Sequence, residues 1–178
     1  MMYYARYKRR ACNGFTLVEI LIVVVILIML GALVYLVIDP VESAKRGRDV
    51  IRLSDIKLVS KSVHVAIDAN GEPSAELLCL NTTIPCTGKS SDLNPAVFKS
   101  DGTGWVKTNI SDVVGLKVSA LPYDPLNVFP YEYTYNSTGI DFEVNVIFES
   151  REFQEKMRLD GGNNDLKYEL GTKLDLMN

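Results

Sequence analysis

The sequence predicts an α+β protein in which a long N-terminal α-helix precedes a head built on a small antiparallel β-sheet. Two observations support this prediction. Residues 15–38 are apolar with Glu19 as their only charge, and an amphipathic helical pattern follows directly. Further on, residues 131–148 contain two runs of alternating apolar side chains on either side of a turn, which is typical of a β-hairpin.

The first 14 residues form a basic leader without an acidic residue. An ordinary secretory signal places its apolar region before the cleavage site, whereas here the apolar run begins after Gly14. Cleavage between Gly14 and Phe15 would therefore leave the apolar segment as the mature N-terminus, and Cys12 would leave with the leader. It would also remove four cations and change the formal net charge from −3 to −7, which argues against nucleic acid as a ligand along the whole surface. The cations removed are Arg6, Lys8, Arg9 and Arg10.

Residues 15–38 are long enough to cross a membrane, because 24 helical residues span about 36 Å and a bilayer core is ~30 Å thick. A charge inside such a helix costs up to ~3 kcal/mol and usually has a partner. For Glu19 one candidate is the α-amino group that cleavage would create on Phe15, in the same helix or in a neighbouring subunit. The second arrangement would set an axial stagger between subunits. The alternative is that Glu19 lies in the lipid headgroup layer.

The helical pattern continues through residues 39–69, and we expect one long helix that bends near Pro40. Its apolar positions recur at steps of three and four, so this half is expected to pack on the head. Asn70 and Gly71 have the chemistry of a helix C-terminus. Basic residues also follow the membrane segment. We favour a solvated helix face for them, with contact to anionic headgroups as the alternative. The apolar set is Leu53, Ile56, Val59, Val63, Ala66 and Ile67, and the basic set is Arg46, Arg48, Arg52, Lys57 and Lys61.

Residues 70–178 form the predicted head. Cys79 and Cys86 flank a short loop, and an even pair of this kind predicts a disulfide that would contribute about 2.5 kcal/mol. Residues 104–110 are a strand candidate. The predicted hairpin at residues 131–148 is followed by a short helix and then a C-terminal edge strand. Asp141 and Glu143 are expected on a solvated outer face of the sheet rather than in acid–base chemistry.

The chain lacks the patterns of the common catalytic sites. The Gly-Lys-Ser of residues 88–90 has no first glycine of a phosphate loop, no Gly-x-Ser-x-Gly occurs, and His64 is the only histidine. We therefore predict that the protein is not an enzyme and has no cofactor. Calcium is the alternative, because a polar loop offers oxygen ligands, although its spacing is not that of an EF-hand and such clusters are typical of turns. The candidate ligands are Asp160, Asn163, Asn164 and Asp165.

The stretch "GFTLVEILIVVVILIMLGALV" resembles the prepilin-type cleavage and methylation segment of type IV pilins and type II secretion pseudopilins. The likeness rests on glycine before the cut, phenylalanine after it, a glutamate at the fifth mature position, and the apolar run. It implies cleavage after Gly14, methylation of the Phe15 amine, and a role for Glu19 in methylation and assembly. Later segments, such as "GWVKTNIS", "LPYDPLN", "YEYTY" and "DGGNND", are similar to pilin-like proteins of bacterial candidate phyla.

The resemblance also implies a location and partners. The helix would wait in the inner membrane, with the N-terminus in the cytoplasm and the head outside, and then enter the core of a helical filament. The implied partners are a prepilin peptidase, an assembly ATPase, a platform membrane protein and further copies of this chain. Any loosened helix segment in the filament would lie between Gly31 and Pro40. The alternatives are a pseudopilin of a secretion or DNA-uptake system and, more remotely, a monomeric single-pass protein whose head binds a ligand.

Overall fold

The computed structural model describes residues 14–177. Most of the basic leader, including Cys12 and the four leader cations, lies outside these residues. The chain divides into two compact units, with the boundary between Pro40 and Val41. Among the described residues, the first unit contains one helix, and the second contains the remaining helices and the sheet. The predicted α+β architecture is confirmed.

Helix α1 runs from Leu17 to Ile38 and contains a stretch, Leu17–Tyr35, that is long and apolar enough to cross a membrane. The mean hydropathy of this stretch is 3.2, and none of it is buried within the chain. A helix that is apolar on every side has no polar face to give to water. The first unit therefore presents an apolar surface that nothing in the described part of the chain covers.

One residue separates α1 from helix α2, which runs from Pro40 to Asn70. The sequence predicts a single bent helix, and the structure instead interrupts it at Asp39, whose backbone is left-handed with φ of 42°. A residue before proline is disfavoured in the right-handed helical region, and aspartate tolerates the left-handed one better than most residues. Residue 31, by contrast, lies inside continuous helix.

Helix α2 is amphipathic, as its periodicity predicts, and it buries Ile56, Val59 and Val63 in the core of the second unit. The helix ends at Asn70. Gly71 follows with φ of 89° and donates its N–H to the carbonyl of Ile67 at 3.0 Å. A left-handed glycine at this position is the usual end of an α-helix, so the predicted C-terminus is confirmed.

The sheet is antiparallel, with four strands in the order β1-β2-β3-β4. Strands β2 and β3 form the predicted hairpin, and β4 is the predicted edge strand. Strand β1, which begins at the second cysteine, is not predicted by the sequence because it is short and rich in turn residues. Three short helical elements accompany the sheet. The strands are Cys86–Lys89, Thr134–Ser137, Phe142–Val146 and Tyr168–Gly171, and the helical elements are α3 (Ala75–Leu78), a 3₁₀ helix (Pro95–Phe98) and α4 (Arg151–Arg158).

The core lies between α2 and one face of the sheet. His64 of α2 meets the ring of Phe142 edge-on at 5.0 Å, and the hydroxyl of Tyr133 donates to Asp55 of α2 at 2.9 Å. Trp105, the only tryptophan, is 1 % exposed and lies 5.9 Å from the ring of Tyr133. This packing accounts for the burial of the apolar face that the sequence predicts for α2.

The strand prediction for residues 104–110 is wrong. The backbone N–H of Trp105 donates to the carbonyl of Val97 in the 3₁₀ helix, and that of Ile110 donates to the carbonyl of Ser100, so the partners are a 3₁₀ helix and a loop instead of a strand. The apolar side chains in this segment are buried all the same. Burial of these side chains therefore indicates a core contact here without requiring a sheet partner.

Candidate functional site

The N-terminal segment joins Gly14, the predicted cleavage position, to the first turn of α1. Gly14 and Phe15 precede the helix, and the Phe15 side chain is 80 % exposed. Thr16 is the N-cap residue, and Glu19 lies three positions later in the first turn. The predicted cleavage and methylation positions therefore lie immediately outside the helix, and both residues are exposed.

Glu19 and Thr16 form a reciprocal capping box. Oε2 of Glu19 accepts hydrogen bonds from the N–H and the hydroxyl of Thr16, both at 2.8 Å, and the N–H of Glu19 donates to the Thr16 hydroxyl at 3.2 Å. These bonds satisfy two of the N–H groups that a helix start leaves without partners. Sequence reasoning assigned Glu19 a terminal amine as partner and missed Thr16, although Thr-x-x-Glu before an apolar run is the sequence signal for this arrangement.

The capping box uses one side of the carboxylate. Both bonds from Thr16 end on Oε2, and Oε1 accepts no hydrogen bond from residues 14–177. A carboxylate offers about four acceptor positions, so Glu19 has capacity for an amine in addition to its bonds with Thr16. The geometry is therefore compatible with the predicted pairing, and the pairing itself stays a prediction.

The predicted disulfide is present between Cys79 and Cys86, which are seven positions apart with their Cα atoms at 5.7 Å. Cys79 follows α3 and Cys86 begins β1, and both are almost fully buried. The disulfide therefore joins the loop after α3 to strand β1, which the sequence does not predict.

The basic set on α2 is not uniformly solvated, and the favoured prediction is wrong for Arg52. This side chain is fully buried, and it donates to Asp124 through Nε and Nη2 at 2.6 and 2.9 Å. Its Nη1 donates to Asp49 at 2.8 Å and to Glu149 at 2.5 Å. Arg48 adds two bonds to Glu149 at 2.8 and 2.6 Å. We call these five side chains the Arg52 cluster.

The Arg52 cluster anchors α2 to two distant loops. Burial opposes the positive charge of Arg52, but its hydrogen bonds to Asp124 and the other carboxylates outweigh this, so its pKa is raised. The Arg48 hydrogen bond holds the pKa of Glu149 below its ordinary value. The spacing of Asp49 and Arg52 signals their contact in the sequence. Asp124 is 72 positions from Arg52, and no local pattern reveals that partner.

The outer face of the sheet, opposite α2, is also less solvated than predicted. Glu143 is fully buried because the C-terminal segment covers it, and the N–H groups of Leu176 and Met177 donate to its Oε2 at 2.6 and 3.2 Å. On the neighbouring strand, Glu169 is buried too, and that burial raises its pKa to about 7. The prediction of a solvated Glu143 is therefore wrong, because the C-terminal segment folds over β3 at this residue.

The four candidate calcium ligands lie on the loop of residues 160–165. The oxygens of Asp160 accept N–H groups from Gly162 at 2.9 Å and from Glu169 at 2.8 Å, and Asn164 Oδ1 accepts a backbone N–H as well. Within residues 14–177, no group of three or more His, Cys, Asp or Glu side chains is arranged to hold a metal ion. The side chains of the loop thus bind the local backbone, and calcium stays the untested alternative to the prediction of no cofactor.

Comparison with known proteins adds one finding. Residues 9–35 match the family described as "Prokaryotic N-terminal methylation motif", and this match spans Gly14, Phe15, Glu19 and nearly all of α1. No curated protein and no solved structure matches the chain. The methylation motif therefore supports a type IV pilin-like or pseudopilin precursor.

Proposed function

We propose that this chain is cleaved between Gly14 and Phe15, methylated on the new amine of Phe15, and assembled through α1 into a type IV pilus-like filament. Before assembly it would be held in the inner membrane, with its N-terminus in the cytoplasm and residues 41–177 outside. The observation that carries the proposal is the coincidence of the methylation motif with a helix that has no polar face and that no described residue covers.

Burial of α1 is the physical requirement behind the proposal. Some twenty apolar side chains would each gain ~1.5–3 kcal/mol on leaving water, so the helix needs lipid or other apolar helices around it. Exchange of lipid for like helices changes apolar burial little, and an assembly ATPase and a platform membrane protein would supply the work. The cations of the leader favour a cytoplasmic N-terminus, because basic flanks stay on that side.

Glu19 would set the register between subunits. In a filament, its carboxylate would keep the capping bonds from Thr16 and also accept the methylated amine of a neighbouring Phe15. Any other stagger would leave a charge unpaired among apolar helices, which is costly. Contacts of this head-to-tail kind do not close on themselves and generate a helix of subunits rather than a ring.

Replacement of Glu19 by alanine tests the assembly step. We expect Glu19→Ala to insert into the membrane normally while its incorporation into sheared filaments falls at least tenfold, equivalent to ~1.4 kcal/mol. Glu155→Ala, which removes an exposed glutamate of α4, is the matched control and should assemble normally. Normal incorporation of Glu19→Ala would contradict the role of this carboxylate.

The intact mass of the purified protein tests the processing step. The expected mass is that of a chain that begins at Phe15, carries one additional methyl group, and lacks two hydrogens because of the Cys79–Cys86 bridge. A product that still begins at Met1 would overturn the proposal. A pseudopilin of a secretion or DNA-uptake system would be processed identically, and the length of the fibres formed in cells separates the two.

A further inference from the structure

A cavity of about 500 Å³ lies over the outer face of the sheet, within the second unit. Thr134 and Asn136 of β2 and Asn145 of β3 contribute uncharged polar side chains to its lining, and Thr134 is directly opposite Asn145 in the register of the two strands. Cavities of 300–1,000 Å³ are typical of sites for small ligands. The cavity is therefore of a size suitable for a small ligand, and two paired strands hold its polar side chains.

The rim of the cavity is apolar. Phe129 and Pro130 contribute from the loop before β2, and Leu166 and Leu176 contribute from the C-terminal segments. The side chains of Phe129 and Leu166 are 83 % and 73 % exposed, although both are large and apolar. An exposed aromatic ring beside polar groups offers a flat apolar surface on which a ligand can lie.

Asn145 supplies the observation that points to a ligand. Its side chain is 1 % exposed and lines the cavity, and its amide nitrogen donates to Glu143 at 2.7 Å. Its Oδ1 has no hydrogen-bond partner among the described residues. A buried acceptor left without a partner has lost its hydrogen bonds to water without replacement, so a ligand that brings an O–H or N–H to this atom would be favoured.

The charges around the cavity favour an uncharged ligand. Lys89 and Glu132, both in the lining, bind each other with Nζ at 2.9 Å from Oε1. Ser91 also donates its hydroxyl to Glu132. Lys167, a further cation of the lining, is also engaged in an interaction within the chain. An ionic ligand would therefore have to compete with interactions that these charges already make, whereas hydroxyl groups can both donate to and accept from the hydroxyl and amide side chains of the lining.

We propose that this cavity binds a neutral saccharide, with an apolar face of one sugar ring against Phe129 and a hydroxyl or acetamido N–H on Asn145 Oδ1. A pyranose ring combines an apolar C–H face with a rim of donors and acceptors, which is the combination that the cavity presents. The site lies entirely in residues 89–177, so this proposal goes beyond filament assembly and does not depend on it.

Calorimetric titration of the full-length protein tests the site. The protein is kept in micelles of a detergent without a sugar headgroup, so that the detergent does not compete, and is titrated with chitotriose and with maltotriose. At least one of the two sugars should bind with Kd below about 1 mM. Absence of binding for both sugars at about tenfold that concentration would overturn the proposal.

Substitutions locate the bound sugar. Phe129→Ala should weaken binding at least tenfold, and Thr134→Val should weaken it about threefold through loss of one hydroxyl. Leu93→Ala is the matched control, since Leu93 is 97 % exposed and outside the lining. Fluorescence of buried Trp105 confirms that each variant is folded. Tetra-alanine, titrated in the same way, tests whether the cavity binds a short peptide instead. Unchanged sugar binding in Phe129→Ala, or binding of tetra-alanine but of neither sugar, would overturn the assignment.

Discussion

Helices α1 and α2 are adjacent in the chain but are stabilised by different surroundings. None of the membrane-length stretch of α1 is buried, whereas α2 buries one face on the sheet and places a fully buried arginine among carboxylates. Changes in α2 should therefore alter the free energy of unfolding of the second unit. Changes in α1 should act only on its association with lipid or with other copies.

The largest effect is expected for Arg52→Ala. Removal of this guanidinium would leave the carboxylates of Asp124 and Asp49 buried without their main cation. Loss of one partner from a buried ion pair costs about 3–5 kcal/mol. Arg46→Ala should change stability little. Arg46 pairs with Glu152 at 3.5 Å, but both side chains are exposed, and an exposed ion pair contributes little to stability. Denaturant unfolding monitored by Trp105 fluorescence measures both variants. Equal stability of the two would mean that the Arg52 cluster does not anchor α2.

A matched pair of isoleucines tests the comparison directly. Ile56 of α2 is fully buried and Ile26 of α1 is 50 % exposed. Ile56→Ala should reduce the free energy of unfolding by about 2–5 kcal/mol, through lost transfer energy and a cavity. Ile26→Ala should leave the Trp105 transition unchanged. A shift of that transition in Ile26→Ala would show that α1 contributes to the stability of the second unit.

Loss of the disulfide should have an intermediate effect. Paired Cys79→Ser and Cys86→Ser substitutions release a loop of seven positions, and chain entropy predicts a loss of about 2.5 kcal/mol. Denaturant unfolding followed by Trp105 fluorescence measures this loss of stability. Addition of reductant to the unaltered protein opens the same loop and should lower its stability by a similar amount. The substituted protein itself should be insensitive to reductant.

The smallest effect is expected on acidification. The pKa of Glu149 is lowered in the folded protein, first by the Arg48 hydrogen bond and also by Arg52. This stabilisation is therefore fully present above the ordinary glutamate pKa of ~4.3 and is lost as pH falls through the lowered folded value. Unfolding measured at a series of pH values should show a shallower acid loss for Glu149→Gln. An identical pH dependence would exclude Glu149 as a contributor.

Local pattern was sufficient for much of this molecule. Periodicity of apolar residues identified α1, the buried face of α2, the hairpin and the helix end at Gly71, because each depends on residues only a few positions apart. The cysteine pair in its short loop was predicted for the same reason. Recognition of the motif around Gly14, Phe15 and Glu19 needed no knowledge of the fold, because the motif consists of neighbouring residues in the sequence.

The tertiary structure alone decided how charges and polar faces are covered. Burial of Arg52 depends on Asp124, far away in the chain, and burial of Glu143 depends on the C-terminal segment that crosses β3. From the sequence alone, a charged side chain is predicted to be solvated, because the distant segment that supplies its hydrogen bonds cannot be identified. The cavity beside Asn145 has the same origin, because strands and loops from separate parts of the chain must meet before it exists.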